Sequence, residues 1–187
     1  QKSLIETTIG NSSQITISTE ANSGLISDYK SLTDNVANSD DRIEFVSPAL
    51  DNAAFLSYDG KSQSLLVRGF EQSSADNIYN LSEYITEGSF PSTKNEVLLG
   101  KTLQEKYGLS VGDTFELITP DKSTNSCVIS GFFDLKVAAV NNSWCITSLP
   151  NAQSIFLTGD KISSIEMQLF DNQVFSADEV ASDITAA

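Results

Sequence analysis

From residue 95 to residue 133 the hydrophobic pattern changes period repeatedly, and glycines mark most of the changes. Val97, Leu98 and Leu99 form a short apolar run closed by Gly100; Leu99, Leu103 and Tyr107 then recur at helical spacing. Gly108 follows the last periodic residue, where helices commonly end in a left-handed conformation. Gly112-Asp113 makes a second sharp turn, after which Phe115 and Leu117 alternate with polar residues as a half-buried strand does. A polar turn over residues 119–126 leads into Cys127-Val128-Ile129-Ser130-Gly131-Phe132-Phe133. Short strands and a short helix joined this tightly specify an α+β fold. Gly88, Gly100, Gly108, Gly112, Asp113 and Gly131 are expected at structural turns.

The flanks read differently. Ile15 and Ile17 alternate with polar residues as a strand, and Ser23 is placed to cap a helix with the stripe Leu25, Ile26, Tyr29, Leu32 and Val36. Strand-like runs follow at 43–47, 53–58 and 64–70, with Asp59-Gly60 a hairpin turn between the last two. After the middle segment, 144–148 reads as a strand and Pro150 opens a short helix. Ile165, Met167 and Leu169 then alternate as in a strand, and Ser176-Ala177-Asp178-Glu179 is a capping box for a helix carrying Val180 and Ile184. Strand plus helix at each end predicts that residues 1–70 and 161–187 pack together, with 71–160 inserted between them.

Composition removes several classes of function. The 25 acidic residues outnumber the 11 basic ones, giving a net charge of -14. Nucleic acid is therefore not a partner, because a sequence-general grip on phosphate needs clustered Lys and Arg. The chain has no histidine, which rules out Ser-His-Asp and Cys-His catalysis and most catalytic zinc sites. No phosphate loop or dinucleotide fingerprint is present, and no cofactor or metal is expected. Glu83, Glu87 and Glu96 lie near one another, with Glu83 and Glu87 on one face if that segment is helical; solvated acids are the expected reading, and a glycosidase pair is the catalytic alternative. The triplets at Asn11, Asn80 and Asn141 fit the N-glycosylation pattern that Ser- and Asn-rich chains produce by chance. No apolar run approaches the roughly 18 residues of a membrane helix. No signal peptide is read at Gln1, and the ends suggest an excised fragment.

Two cysteines, Cys127 and Cys145, fall on expected strands. A hairpin around 136–140 leaves them several residues out of register, whereas a disulfide needs Cα atoms within about 7 Å. Two buried thiols are the expected state, with a bridge the alternative in an oxidising compartment. Phe132, Phe133 and Trp144 are expected in the core.

The series from Asn95-Glu96-Val97-Leu98-Leu99-Gly100 through Tyr107-Gly108-Leu109-Ser110-Val111-Gly112-Asp113 to Val128-Ile129-Ser130-Gly131-Phe132-Phe133 resembles the extracytoplasmic (MacB-like periplasmic core) domain of ABC-transporter permeases of the FtsX, LolC, LolE and MacB type. The likeness covers residues 88–156, with Leu149-Pro150-Asn151-Ala152-Gln153 where the family has a Leu-x-x-Ala-Gln helix. It implies a discontinuous "Porter" subdomain (1–70 plus 161–187) with a "Sabre" subdomain (71–160) inserted. It also implies a domain outside the cytoplasmic membrane, tethered by membrane helices of the same permease. A second permease copy or paralogue, a cognate ATPase and a transported substrate or extracytoplasmic partner protein complete the set. Because partners of that family contact loops and inner faces of the domain, the resemblance makes Trp144, just after Asn141-Asn142-Ser143, the candidate contact if it lies at the surface. Such a domain is not an enzyme; it transmits ATP-driven motion. LolC-type members dock a periplasmic chaperone on an extended hook, but the turn at 119–126 is short, polar and without an apolar tip, which fits neither chaperone recruitment nor a lipoprotein role. A secreted acidic binding or adhesion module is the competing reading, and a carboxylate-dependent hydrolase the third.

Overall fold

One long strand organises the molecule. The structure, a computed structural model, describes residues 3–7, 15–19, 25–27, 29–170, 180, 181 and 184. Strand β3 (Ile43–Tyr58) runs for 16 residues and changes neighbours midway. Over residues 43–49 it pairs with β10 (Ser164–Leu169), which pairs with β2 (Ile15–Thr19), which pairs with β1 (Ser3–Thr7), all antiparallel. The segments at 15–19 and 164–169, one from each of the two flanks expected to pack together, are therefore neighbours in one sheet. Over residues 49–58 the other edge of β3 pairs with β4 (Lys61–Phe70), through a turn in which Asp59 and Gly60 have φ of 50° and 76°. Two left-handed residues in succession are what a tight hairpin turn requires.

The runs 43–47 and 53–58, read as two strands in the sequence, belong to one strand that continues through Pro48. Ala49 accepts from the Ser163 amide on the β10 edge, so by alternation the nitrogen of Pro48 faces the opposite edge. There β4 pairing starts only at Ala49, and no ladder bond is lost.

Beyond the changeover the strands close on themselves. β4 pairs parallel with β9 (Trp144–Ser148), β9 antiparallel with β6 (Glu96–Gly100), and β6 parallel with β8 (Thr124–Phe133). β8 pairs with β7 (Thr114–Ile118), and β7 returns to β3 at residues 55–57. These six strands form a closed barrel, with β5 (Ile85–Gly88) added beside the end of β8. Leu56, Val67, Leu99, Leu117, Phe132 and Cys145 fill its interior. On the outside, Ala75 of α2 (Gln72–Tyr79), Leu81 and Phe90 pack on Ala49, Phe70, Leu98, Phe133 and Ile146. Strands covered on both faces need apolar residues at successive positions, which is why Val97-Leu98-Leu99 shows no alternation.

A third core joins Ile15, Ile17, Ile43, Leu50, Ile165 and Met167 to Val36 of α1 (Tyr29–Ser39), to Val180, and to Leu149 and Ala152 of α5 (Leu149–Phe156). Ile155 of α5 belongs to the barrel core, so this helix spans both. It can sit close because Gly69 lies beneath it: a Cβ there would stand 2.4 Å from the Cβ of Ala152.

Several expectations are corrected. Helix α1 begins at Tyr29, and Ile26 instead forms a bridge with Ile162; Val36 is buried while Tyr29 and Leu32 are half-buried. The Ser23 cap, the box at Ser176–Glu179 and the Asn11 triplet lie outside the described residues, although Val180, Ala181 and Ile184 are helical. No hairpin joins the cysteine strands. The chain passes through α4 (Ala138–Asn141), and β9 lies on the far side of β6 from β8.

Candidate functional site

The carboxylates singled out in the sequence do not form a pair. Glu83 lies in a 3₁₀ turn (Leu81–Tyr84) and Glu87 on β5, so the shared helical face does not exist. Glu87 accepts from the Gln104 amide. Glu96 accepts from the backbone amides of Ser92 and Thr93 at 3.0 and 2.8 Å, which lowers its pKa and makes it a loop clasp. Among the described residues no three metal-ligating side chains gather, and no helix is long and apolar enough to cross a membrane.

The glycines divide by cause. Gly108, at the C-terminus of α3 (Lys101–Tyr107), has φ 63°, and a Cβ there would meet nothing within 4 Å, so backbone freedom alone is at stake. Gly112 (φ 93°) and Asp113 close the next turn, where Asp113 accepts from the Ser110 amide and the Gly112 amide donates to Ile129. Gly88 also has positive φ, at the end of β5. Gly100 and Gly131 differ from expectation. Gly131 lies within β8, and Gly100 has an ordinary extended φ; both allow close backbone approach, with a Cβ at Gly100 falling 2.0 Å from the Asn141 carbonyl oxygen.

Cys127 and Cys145 are unbonded and fully buried. Burial pushes the Cys127 thiol up to about 12 and holds Cys145 well above the ordinary thiol range, so neither is a nucleophile near neutral pH.

Sequence reasoning missed a cluster of buried charges, Arg68 and Glu166, the charged residues buried among the described ones. Arg68 on β4 is 6% exposed and Glu166 on β10 is 4% exposed. The guanidinium forks onto its cross-strand partner Asp51, with Nε to Oδ1 at 2.9 Å and Nη2 to Oδ2 at 3.0 Å. The same Nη2 donates to Glu166 Oε1 at 2.6 Å, and Nη1 to the Tyr79 hydroxyl at 3.1 Å. Tyr79, on α2, donates in turn to Glu166 Oε2. Phe70 and Trp144 flank the cation, each with its ring centroid 4.6 Å from Arg68 Cζ, and Tyr79 meets Trp144 edge-on. Trp144 is thereby half-buried and engaged.

Burial works against the charge on Arg68, but Asp51, Glu166 and Tyr79 outweigh it and raise its pKa. Burial also raises the pKa of Tyr79 against the opposing pull of Arg68, keeping its proton for the bond to Glu166. Desolvation raises the Asp51 pKa while Arg68 opposes it; a quarter of that side chain remains wetted, and we assign it as ionised at neutral pH. The one available signal in the sequence was Arg68, a charge inside the largely apolar run 64–70; Glu166 occupies a polar position of the alternating strand 164–169.

A barrel joined through one strand to a sheet built from both flanks, with its buried charge at the join, defines a domain of mixed α and β structure. The chain belongs to the MacB-like periplasmic core domain family, whose model matches residues 1–187. It is thus an extracytoplasmic domain of an ABC-transporter permease, and the domains of this family are parts of permeases rather than enzymes. Among solved structures, the extracellular domain of the noncanonic ABC-type transporter YknZ from Gram-positive bacteria superposes with a TM-score of 0.61 at 13% identity, over 90% of this chain and 86% of that one. The periplasmic region of MacB from Actinobacillus actinomycetemcomitans gives 0.56 at 13% identity, over 84% and 74%. A domain of a putative permease protein from Porphyromonas gingivalis gives 0.50 at 16% identity, over 75% and 67%. At such identities the superpositions establish the fold alone. Comparison with curated protein sequences gives no match.

Proposed function

We propose that this domain does no chemistry and transmits ATP-driven motion of its permease to a substrate or partner outside the membrane. The observation that carries the reading is the continuity of one strand: β3 pairs with β10 at one end and is a barrel stave at the other. Displacement of the flanking strands reaches the barrel through backbone rather than through a loop. In this reading residues 1–70 and 161–187 form the part next to the membrane helices and 71–160 the part presented outward, with β4 and the second half of β3 reaching from the first into the barrel of the second. The cognate ATPase supplies the motion, and a second permease copy or paralogue supplies the opposing surface.

Function then resides in relative movement of rigid parts, and no single exposed carboxylate is indispensable. Alanine substitution of each exposed acidic residue in the complete transporter, followed by a transport assay, should leave activity within a few-fold of the parent. Loss of transport from one such change, with folding and assembly intact, would overturn the mechanical reading in favour of catalysis or ion binding.

A further inference from the structure

We propose that the Arg68–Glu166–Asp51–Tyr79 cluster is a register lock that holds the flanking strand β10 to the barrel, so that both move as one body. The inference rests on the mechanical reading for its purpose but not for its physics.

Four observations lead to it. First, β10 pairs with β3 only as far as Ala49, and pairing on that edge resumes with β7 at Phe55. Across this gap the barrel half of β3 is held from the flank by Ser163, whose hydroxyl accepts from the Asp51 amide, and by Glu166 through Arg68 and Tyr79. Second, β3 lies between the strands carrying Glu166 and Arg68, so the two side chains meet over it. They can do so because β3 presents only Ser47 and Ala49, both fully buried, on the face beside Asp51.

Third, register decides whether the cluster exists. A one-residue slip of β10 would carry Glu166 to the opposite face, where Ile165 and Met167 now pack with Ile15, Ile17 and Leu50. A two-residue slip would shift it about 7 Å along the strand, out of reach of a guanidinium now 2.6 Å away. Either leaves a buried carboxylate without its cation, a state far costlier than the loss of a surface pair. Fourth, the opposite face of the join is clamped by α5 seated on Gly69. A displacement of β10 therefore moves β4 and α2 with it instead of sliding past them.

Hydrogen exchange followed by mass spectrometry on the full 187-residue chain tests the lock, using the parent, Glu166→Gln and Tyr79→Phe. Glu166→Gln should speed exchange of the amides of β2 and β10 by roughly tenfold or more while β6 and β8 are unchanged. Tyr79→Phe should show the same pattern at smaller amplitude. Equal acceleration in β6 and β8, the mark of a general contribution to stability, would overturn the proposal, as would no acceleration anywhere. Should Glu166→Gln fail to fold, Tyr79→Phe, which removes one hydroxyl, decides by the same criteria. The two readings fail separately: uniform exchange with a tolerant carboxylate scan sinks the lock alone, and segmental exchange with an intolerant scan sinks the mechanical function alone.

Discussion

The barrel and the sheet of flanking strands share β3, yet they are held together on different principles. The barrel is a closed ring of six strands, with one apolar core inside it and a second packed against the outer faces of β4, β6, β8 and β9. The flanking sheet is open, its strands β2, β3 and β10 come from distant parts of the chain, and its buried Glu166 meets Arg68 and Asp51 of the barrel at the join. A ring cannot shrink around a lost side chain without changing its stagger, whereas an open sheet can shift toward the gap. Rigidity in the barrel is thus a matter of topology, and in the flanking sheet it depends on particular partners.

That difference can be broken by measurement. Leu99 and Ile165 are both fully buried, one in the barrel and the other in the flanking sheet. Leu99→Ala should cost about 5 kcal/mol in urea unfolding and Ile165→Ala about 3 kcal/mol, because only the second site can relax. Equal costs would erase the distinction. Gly100→Ala probes how tightly the mouth of the barrel is closed. Its Cβ would meet the backbone of α4, which cannot rotate away, and we expect a loss of about 2 kcal/mol. Wild-type stability would mean that α4 yields freely.

Gly108→Ala should cost about 1 kcal/mol, all of it from the positive φ, since the space around the glycine is open. A loss as large as that of Gly100→Ala would show that packing was misjudged. The smallest effect concerns pH. Asp134 accepts from the Asn141 side chain at 2.8 Å and from the Lys136 amide at 2.9 Å, and these bonds hold its carboxyl at about 2 against an ordinary 3.8. A folded-state value below the unfolded one stabilises above 3.8 and loses that contribution as pH falls toward 2. Asp134→Asn should flatten urea midpoints across that window, and an unchanged slope would contradict the assignment.

What could be read in the sequence was local. The Asp59-Gly60 turn, the helix ending at Gly108 and the strand after Asp113 each carry their signal within a few residues. That the two flanks pack together was legible because both repeat a strand–helix pattern; the direct pairing of 15–19 with 164–169 is seen in the structure. Three things were not. Pro48 disguised a continuous strand, since whether a proline interrupts a ladder depends on which edge its nitrogen faces. Closure of the barrel depends on β7 meeting β3, a contact that no spacing announces. Glu166 and Arg68, 98 positions apart, looked like ordinary polar residues in half-buried strands. Only the assembled sheet shows that both faces are covered there.

In the mechanical reading the domain moves as a unit when the transporter turns over. Spin labels in the complete transporter decide whether it does, at Lys101→Cys on the barrel and Lys30→Cys on the flanking helix, both exposed positions, with the buried Cys127 and Cys145 left unlabelled. The distance from residue 101 to the membrane surface should differ between nucleotide-free and ATP-bound states, while the distance from 101 to 30 stays constant. A position relative to the membrane that is the same in both states would contradict transmission of motion. A distance from 101 to 30 that changes with nucleotide would contradict movement as one body.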